Sequence, residues 1–109
     1  MIRKITMWNL KPFAAGNDRD TNYRIIKERS IELAKKFGKM VSIEFGRGFK
    51  SGGQYYDMAQ ILTFRTKEDL DEFMDFPEHK TMHAFAVEVR AERAACDYVI
   101  DEVVEIEKQ

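Results

Sequence analysis

The chain has one cysteine, two prolines and two histidines in 109 residues, and no surplus of positive charge. Each scarcity excludes something. The lone Cys96 has no intrachain disulfide partner and lies in an apolar stretch, so it reads as a structural thiol in a reducing compartment. With 18 basic against 19 acidic residues, there is no charge excess to neutralise a run of phosphates, which argues against nucleic acid and an anionic membrane surface as partners. The opening "MIRKITMWNL" lacks the apolar core of about 7 to 15 residues that a signal peptide carries. No apolar run approaches the roughly 18 residues that spanning a bilayer needs. The expected location is therefore the cytoplasm. One domain, residues 1–109, is expected, and a domain of that size withdraws roughly 60 to 70% of its unfolded surface from water.

What is present reads as an ordered series of elements. Residues 2–10 suit a strand that stops at Lys11-Pro12, where proline removes a backbone donor. After the loop "FAAGNDRD", Tyr23, Ile26, Ser30, Leu33 and Phe37 recur at helical spacing, and Gly38 sits where a helix commonly ends in a left-handed residue. "MVSIEF" alternates, with Val41, Ile43 and Phe45 on one side, and the Gly-rich "GRGFKSGGQ" leads to a third strand, "YYDMAQILTF". Thr66 followed by Asp69 resembles a capping box before a short helix that turns Leu70, Phe73 and Met74 inward. Pro77 restarts the helix in its first turn. Arg93 to about Ile106 reads as the last strand. The order β-α-β-β-α-β predicts a ferredoxin-like α+β protomer: a four-stranded antiparallel sheet with helices on one face.

Both faces of that sheet carry apolar side chains. Ile5 and Met7 oppose Thr6, Trp8 and Leu10; Met58, Leu62 and Phe64 oppose Ala59 and Ile61; Cys96, Tyr98 and Ile100 oppose Ala95 and Val99. A sheet with water on one side should alternate cleanly. A second copy stacked face to face is the simplest cover, giving a homodimer, the dimeric α/β barrel. The alternative is that Asp57, Thr63 and Asp97 make the outer face polar enough to stay solvated.

Few motifs carry chemistry. His79 and His83 stand four residues apart on a helical stretch, but "HKTMH" lacks the glutamate of HExxH. No third histidine or second cysteine exists to complete a zinc site, so no metal is expected. "GRGFKSGG" fails the GxxxxGK[ST] spacing and joins two strands, so it reads as a hairpin tip and not as a phosphate loop.

Three segments, "MIRKITMWNLK", "TKEDLDEFMDFPEHKTMHAF" and "RAACDYVIDE", resemble in order and spacing the stress-responsive α/β barrel (Dabb) family over nearly the whole chain. The most specific part is the family's HPxH turn, here Phe76-Pro77-Glu78-His79, followed by an Asp-Tyr pair on the last strand, here Asp97-Tyr98. The resemblance implies a homodimeric barrel with a cavity between sheet and helices. Lys4, Thr6, Trp8, Tyr56, Met58, Phe73 and His79 are the expected ligand-pocket residues. In the family's polyketide cyclase the catalytic histidine is the second of the turn, which matches His79. The cyclase's supporting tyrosines and histidines fall here on Phe73, about Ser30, Lys4 and Met58, which departs from its pattern.

The leading expectation is a small, partly apolar ligand bound without a cofactor. A cofactor-independent enzyme, such as a cyclase, isomerase or decarboxylase using His79 as acid or base, is the alternative. A third reading is a structural assembly module whose interior is filled by its own side chains.

Overall fold

The computed structural model describes residues 1–107. β1 (Ile2–Leu10) alternates buried and half-buried residues along its whole length. It pairs antiparallel on both sides, with β5 (Met58–Phe64) and β6 (Arg90–Val99), and β5 pairs in turn with β4 (Met40–Arg47). The sheet order is therefore β4-β5-β1-β6. β1 and β5 are the inner strands and β4 and β6 the edges. The loop after β1 contains a feature that the sequence did not announce, a two-residue ribbon of β2 (Phe13–Ala14) and β3 (Asn17–Asp18).

α1 (Arg19–Phe37) begins where the Asp18 carboxylate accepts a hydrogen bond from the Thr21 backbone N–H at 2.8 Å. It ends at Gly38, whose φ of 77° lets its N–H reach the Ala34 carbonyl. α2 (Lys67–Asp75) starts at Thr66, whose hydroxyl accepts from Asp69 N–H at 3.1 Å. Phe76 is extended (φ −62°, ψ 127°) and separates α2 from α3 (Pro77–Val89), which carries proline in its first turn as expected. The chain is the ferredoxin-like α+β fold predicted, with its second helical segment divided in two.

Four details differ from the sequence reading. Val41 does not face inward: a register shift between Met40 and Ser42 leaves it 38% exposed, while Ile43 packs against the core. β6 starts at Arg90, three residues early, because the apolar spacing of Met82, Ala86 and Val89 carries α3 only to Val89. It ends at Val99 because its partner runs out: Val99 pairs with Ile2, and the Ile100 N–H reaches the carbonyl of Met1. Val103, Val104 and Ile106 are consequently exposed and outside the sheet. Asp97 lies opposite Lys4 on the helix side, so it contributes no polarity to the outer face. Cys96, opposite Ile5, is exposed on that outer face and is not a core thiol.

Two hydrophobic clusters join sheet and helices. One gathers Trp8, Leu10, Tyr23, Ile26, Met58 and Val89, and the other Ile2, Leu33, Leu62, Phe64, Leu70 and Phe73. In the second, the Phe37 ring meets Phe64, Phe73 and Phe76 edge-on, with centroids 6.4, 5.2 and 5.6 Å away. Phe64 is fully buried. We expect Phe64→Ala to lower unfolding free energy by about 3–5 kcal/mol, read as a lower urea midpoint, and Val41→Ser to change it by no more than about 0.5 kcal/mol.

Candidate functional site

The two clusters do not merge. Between them the inward rows of three elements turn polar: Lys4 and Thr6 on β1, Gln60 on β5 and Ser30 on α1, all buried. Strand pairing sets Thr6 opposite Gln60, so the polar residues form one belt across the sheet. Lys4 survives burial by pairing with Asp97 on the neighbouring strand at 2.9 Å. Hydroxyl, amide and ammonium groups cannot interdigitate with hydrocarbon as leucines would, and a cavity of about 80 Å³ remains above the belt. That is several times the roughly 10–15 Å³ one water requires. The cavity reaches the exposed residues His83 and Arg93, which form its mouth.

α3 brings His79 over this space. The Phe76 carbonyl receives the N–H groups of His79 and Lys80 at 2.9 and 3.3 Å, which starts the helix tightly after the extended joint. Phe76 itself is held against Phe37. The His79 ring lies 4.9 Å from the Phe73 ring and 6.2 Å from that of His83, one turn on. Its Nδ1 is buried and has no hydrogen-bond partner among the described residues. Burial lowers its pKa from the ordinary 6.5; the backbone of Met74 opposes this, and His83 and Lys4 add repulsion. The imidazole is thus held neutral near pH 7.

Of the residues expected in the pocket, Lys4, Thr6, Trp8, Phe73 and His79 line the cavity. Met58 does not: it is 2% exposed and packed among Trp8 and its neighbours. Tyr56 also lies elsewhere, at the foot of the β4–β5 loop beside Met7 and Gly48. The cavity takes in Ser30, Gln60, His83, Arg90 and Arg93 besides. Ser30 stood in the helical row read from the sequence, and Gln60, a polar residue between Met58 and Leu62, was not singled out although its alternation could have revealed it. Arg90 was not, because the last strand was placed too late. Among the described residues no three His, Cys, Asp or Glu side chains converge on a metal position. Among the described residues no helix is long and apolar enough to cross a membrane.

The profile of the Stress Responsive A/B Barrel Domain family, Dabb, matches residues 2–100. The chain belongs to the Dabb family. Among solved structures, this Dabb chain is similar to a Dabb protein with a ferredoxin-like fold from Mesorhizobium loti (16% identity, 93% of this chain and 97% of that one, TM-score 0.71). It is also similar to a dimeric ferredoxin-like protein of unknown function from Thermobifida fusca (17%, 91% and 90%, TM-score 0.74). A hydroxynitrile lyase from Passiflora edulis shares the fold at 15% identity, over 95% and 96% of the two chains, with a TM-score of 0.79. At such identities the likeness shows the fold. No curated protein matches the chain.

The neutral imidazole has a consequence for stability. As pH falls through about 6.5, unfolded chains take up a proton that folded His79 still refuses, so its contribution is present above that pH and is lost toward the lower folded-state pKa. The groups facing it, Lys4, His83, Arg90 and Arg93, are all basic. We expect the His79 ring to titrate below 6.5 by NMR, and His79→Gln to shrink the drop in Tm between about pH 7.5 and about pH 5.5.

Proposed function

We propose that this Dabb chain is a cytoplasmic homodimeric binding protein that takes a small, partly apolar molecule into the cavity between sheet and helices. The observation that carries this reading is the cavity itself: about 80 Å³ left open between two packed clusters. A structural module would fill that space with its own side chains, since interiors pack to crystalline density. Apolar walls from Leu33, Leu62 and Met82 meet a few polar groups there, the usual composition of a ligand site.

The dimer is supported by the face of the sheet away from the helices. Ile5 pairs with Ile61 and Cys96, and Met7 with Ala59 and Ala94, so their side chains make a continuous apolar centre. Arg3, Glu44 and Glu92 stand around it. The Thermobifida fusca relative is described as dimeric.

A second reading, a cofactor-independent acid–base enzyme of the cyclase, isomerase or decarboxylase kind, is favoured by the neutral His79 ring with its unpartnered Nδ1. Against it, no Asp, Glu or Tyr is among the described residues lining the cavity, so no acidic or phenolic side chain there orients the imidazole as a base. The Passiflora edulis neighbour is a named lyase, at an identity that carries no residue roles to this chain.

Light scattering should return twice the 12.8 kDa of one chain, and Ile61→Glu should yield monomers by placing a charge at the centre of the covered face. Small neutral and charged fragments should shift the indole signal of Trp8, the single tryptophan. Ser30→Leu, which builds hydrocarbon into the cavity, should abolish those shifts while leaving the dimer intact. Fragments that leave Trp8 unmoved throughout would instead support the structural module. If a substrate is found, a loss of about 100-fold or more in turnover for His79→Ala would favour the enzyme.

A further inference from the structure

Three buried side-chain polar atoms lack a hydrogen-bond partner among the described residues: Trp8 Nε1, His79 Nδ1 and Arg90 Nη1. All three belong to residues that line this one cavity. Unpartnered buried polar atoms are uncommon in folded proteins, and the three residues that carry these share the lining of a single space, which points to an occupant that would partner them. The chemistry of the atoms narrows what it is. An indole N–H and a guanidinium N–H can only donate, so the occupant must present an acceptor.

Charge narrows it further. Lys4, Arg90 and Arg93 line the space with His79 and His83, and no carboxylate is among the described lining residues. Asp97 sits outside the cavity lining and engages Lys4 through one of its oxygens. Arg93 is directly across the strand pair from Trp8, which sets its Cβ within about 4.5–5.5 Å of Trp8 Cβ. Arg90 pairs with Leu10, just beyond the register shift, at the same end of the sheet. Burial, and then repulsion from Arg93, lowers the Arg90 pKa, and the guanidinium remains a cation at neutral pH. Among the described residues the salt bridges involve neither Arg90 nor Arg93.

Resting on the cavity reading above, we infer that the ligand is a small organic anion, a carboxylate or an equivalent oxyanion on a compact apolar body. Its charged end lies against Trp8 Nε1, Arg90 and Arg93, and its hydrocarbon faces Leu62, Phe73 and Met82. A planar guanidinium suits a carboxylate through paired N–H···O contacts, which an ammonium does not reproduce. The apolar wall rules out a bare inorganic anion as the best occupant, because it would leave that wall facing empty space or water.

The test uses the intact protein and three probes: benzoate, benzamide of nearly the same shape, and inorganic phosphate. Binding is followed by the Trp8 indole N–H resonance and by calorimetry. Benzoate should bind at least about tenfold more tightly than either other probe, and Arg90→Gln should weaken benzoate more than benzamide and so remove most of that preference. The wild-type comparison stands by itself if the variant does not fold. Equal affinity for benzoate and benzamide, or binding of benzamide alone, would overturn the anion assignment and leave the cavity as a ligand site. Phosphate binding as tightly as benzoate would overturn the organic part. If these probes and neutral fragments alike leave Trp8 unmoved, the anion assignment and the binding reading both fall.

Discussion

Burying a polar row beneath helices is the constraint on which the rest of this molecule depends. Lys4, Thr6, Gln60 and Ser30 occupy inward positions that apolar residues would ordinarily take. A buried ammonium is tolerable only with a partner, and Asp97 has to stand opposite Lys4 on an edge strand to provide one. Once that row is in place, hydrocarbon can close above and below it but not across it. The interior therefore consists of two clusters, with Met82 touching both, and the space between them is a product of composition and not of loose packing.

The architecture was legible because its signals are local and repeated. Ile2, Lys4, Thr6, Trp8 and Leu10 occupy alternate positions whatever their polarity, and the helix signals Gly38, Thr66 and Pro77 each act within a few residues, whereas the Asp18 cap lay hidden in what read as a loop. What failed to show was decided at a distance. Whether the Val-rich stretch after Val99 continues as a strand depends on where β1 begins, nearly a hundred residues earlier. The inward turn of Met40 in place of Val41 depends on a bulge against β5. Tyr56 was expected in the pocket on chemistry alone, but the strand begins only at Met58, leaving the tyrosine on the loop.

The family's turn supplies geometry more securely than it supplies chemistry. Pro77 and the extended Phe76 are enough to aim a helix start at the sheet, and His79 arrives over the cavity as a result. The ring it meets there is Phe73, which offers a face and no hydrogen bond. Sequence similarity could align the histidine; only the neighbours of its ring indicate what work it is equipped for. In this chain those neighbours are the Phe73 ring, the Met74 backbone and the basic side chains of His83 and Lys4.

β1 has no idle side. Its even-numbered residues furnish the floor of the interior and its odd-numbered ones the opposite surface, with strands bonded along both edges. Inserting or deleting a single amino acid near its start would send Arg3, Ile5 and Met7 under the helices and turn Lys4, Thr6 and Trp8 outward, exchanging the cavity wall and the outer apolar face in one event. Evolution can therefore retune either side by replacing residues one at a time, but the length of this strand is a quantity it is not free to change.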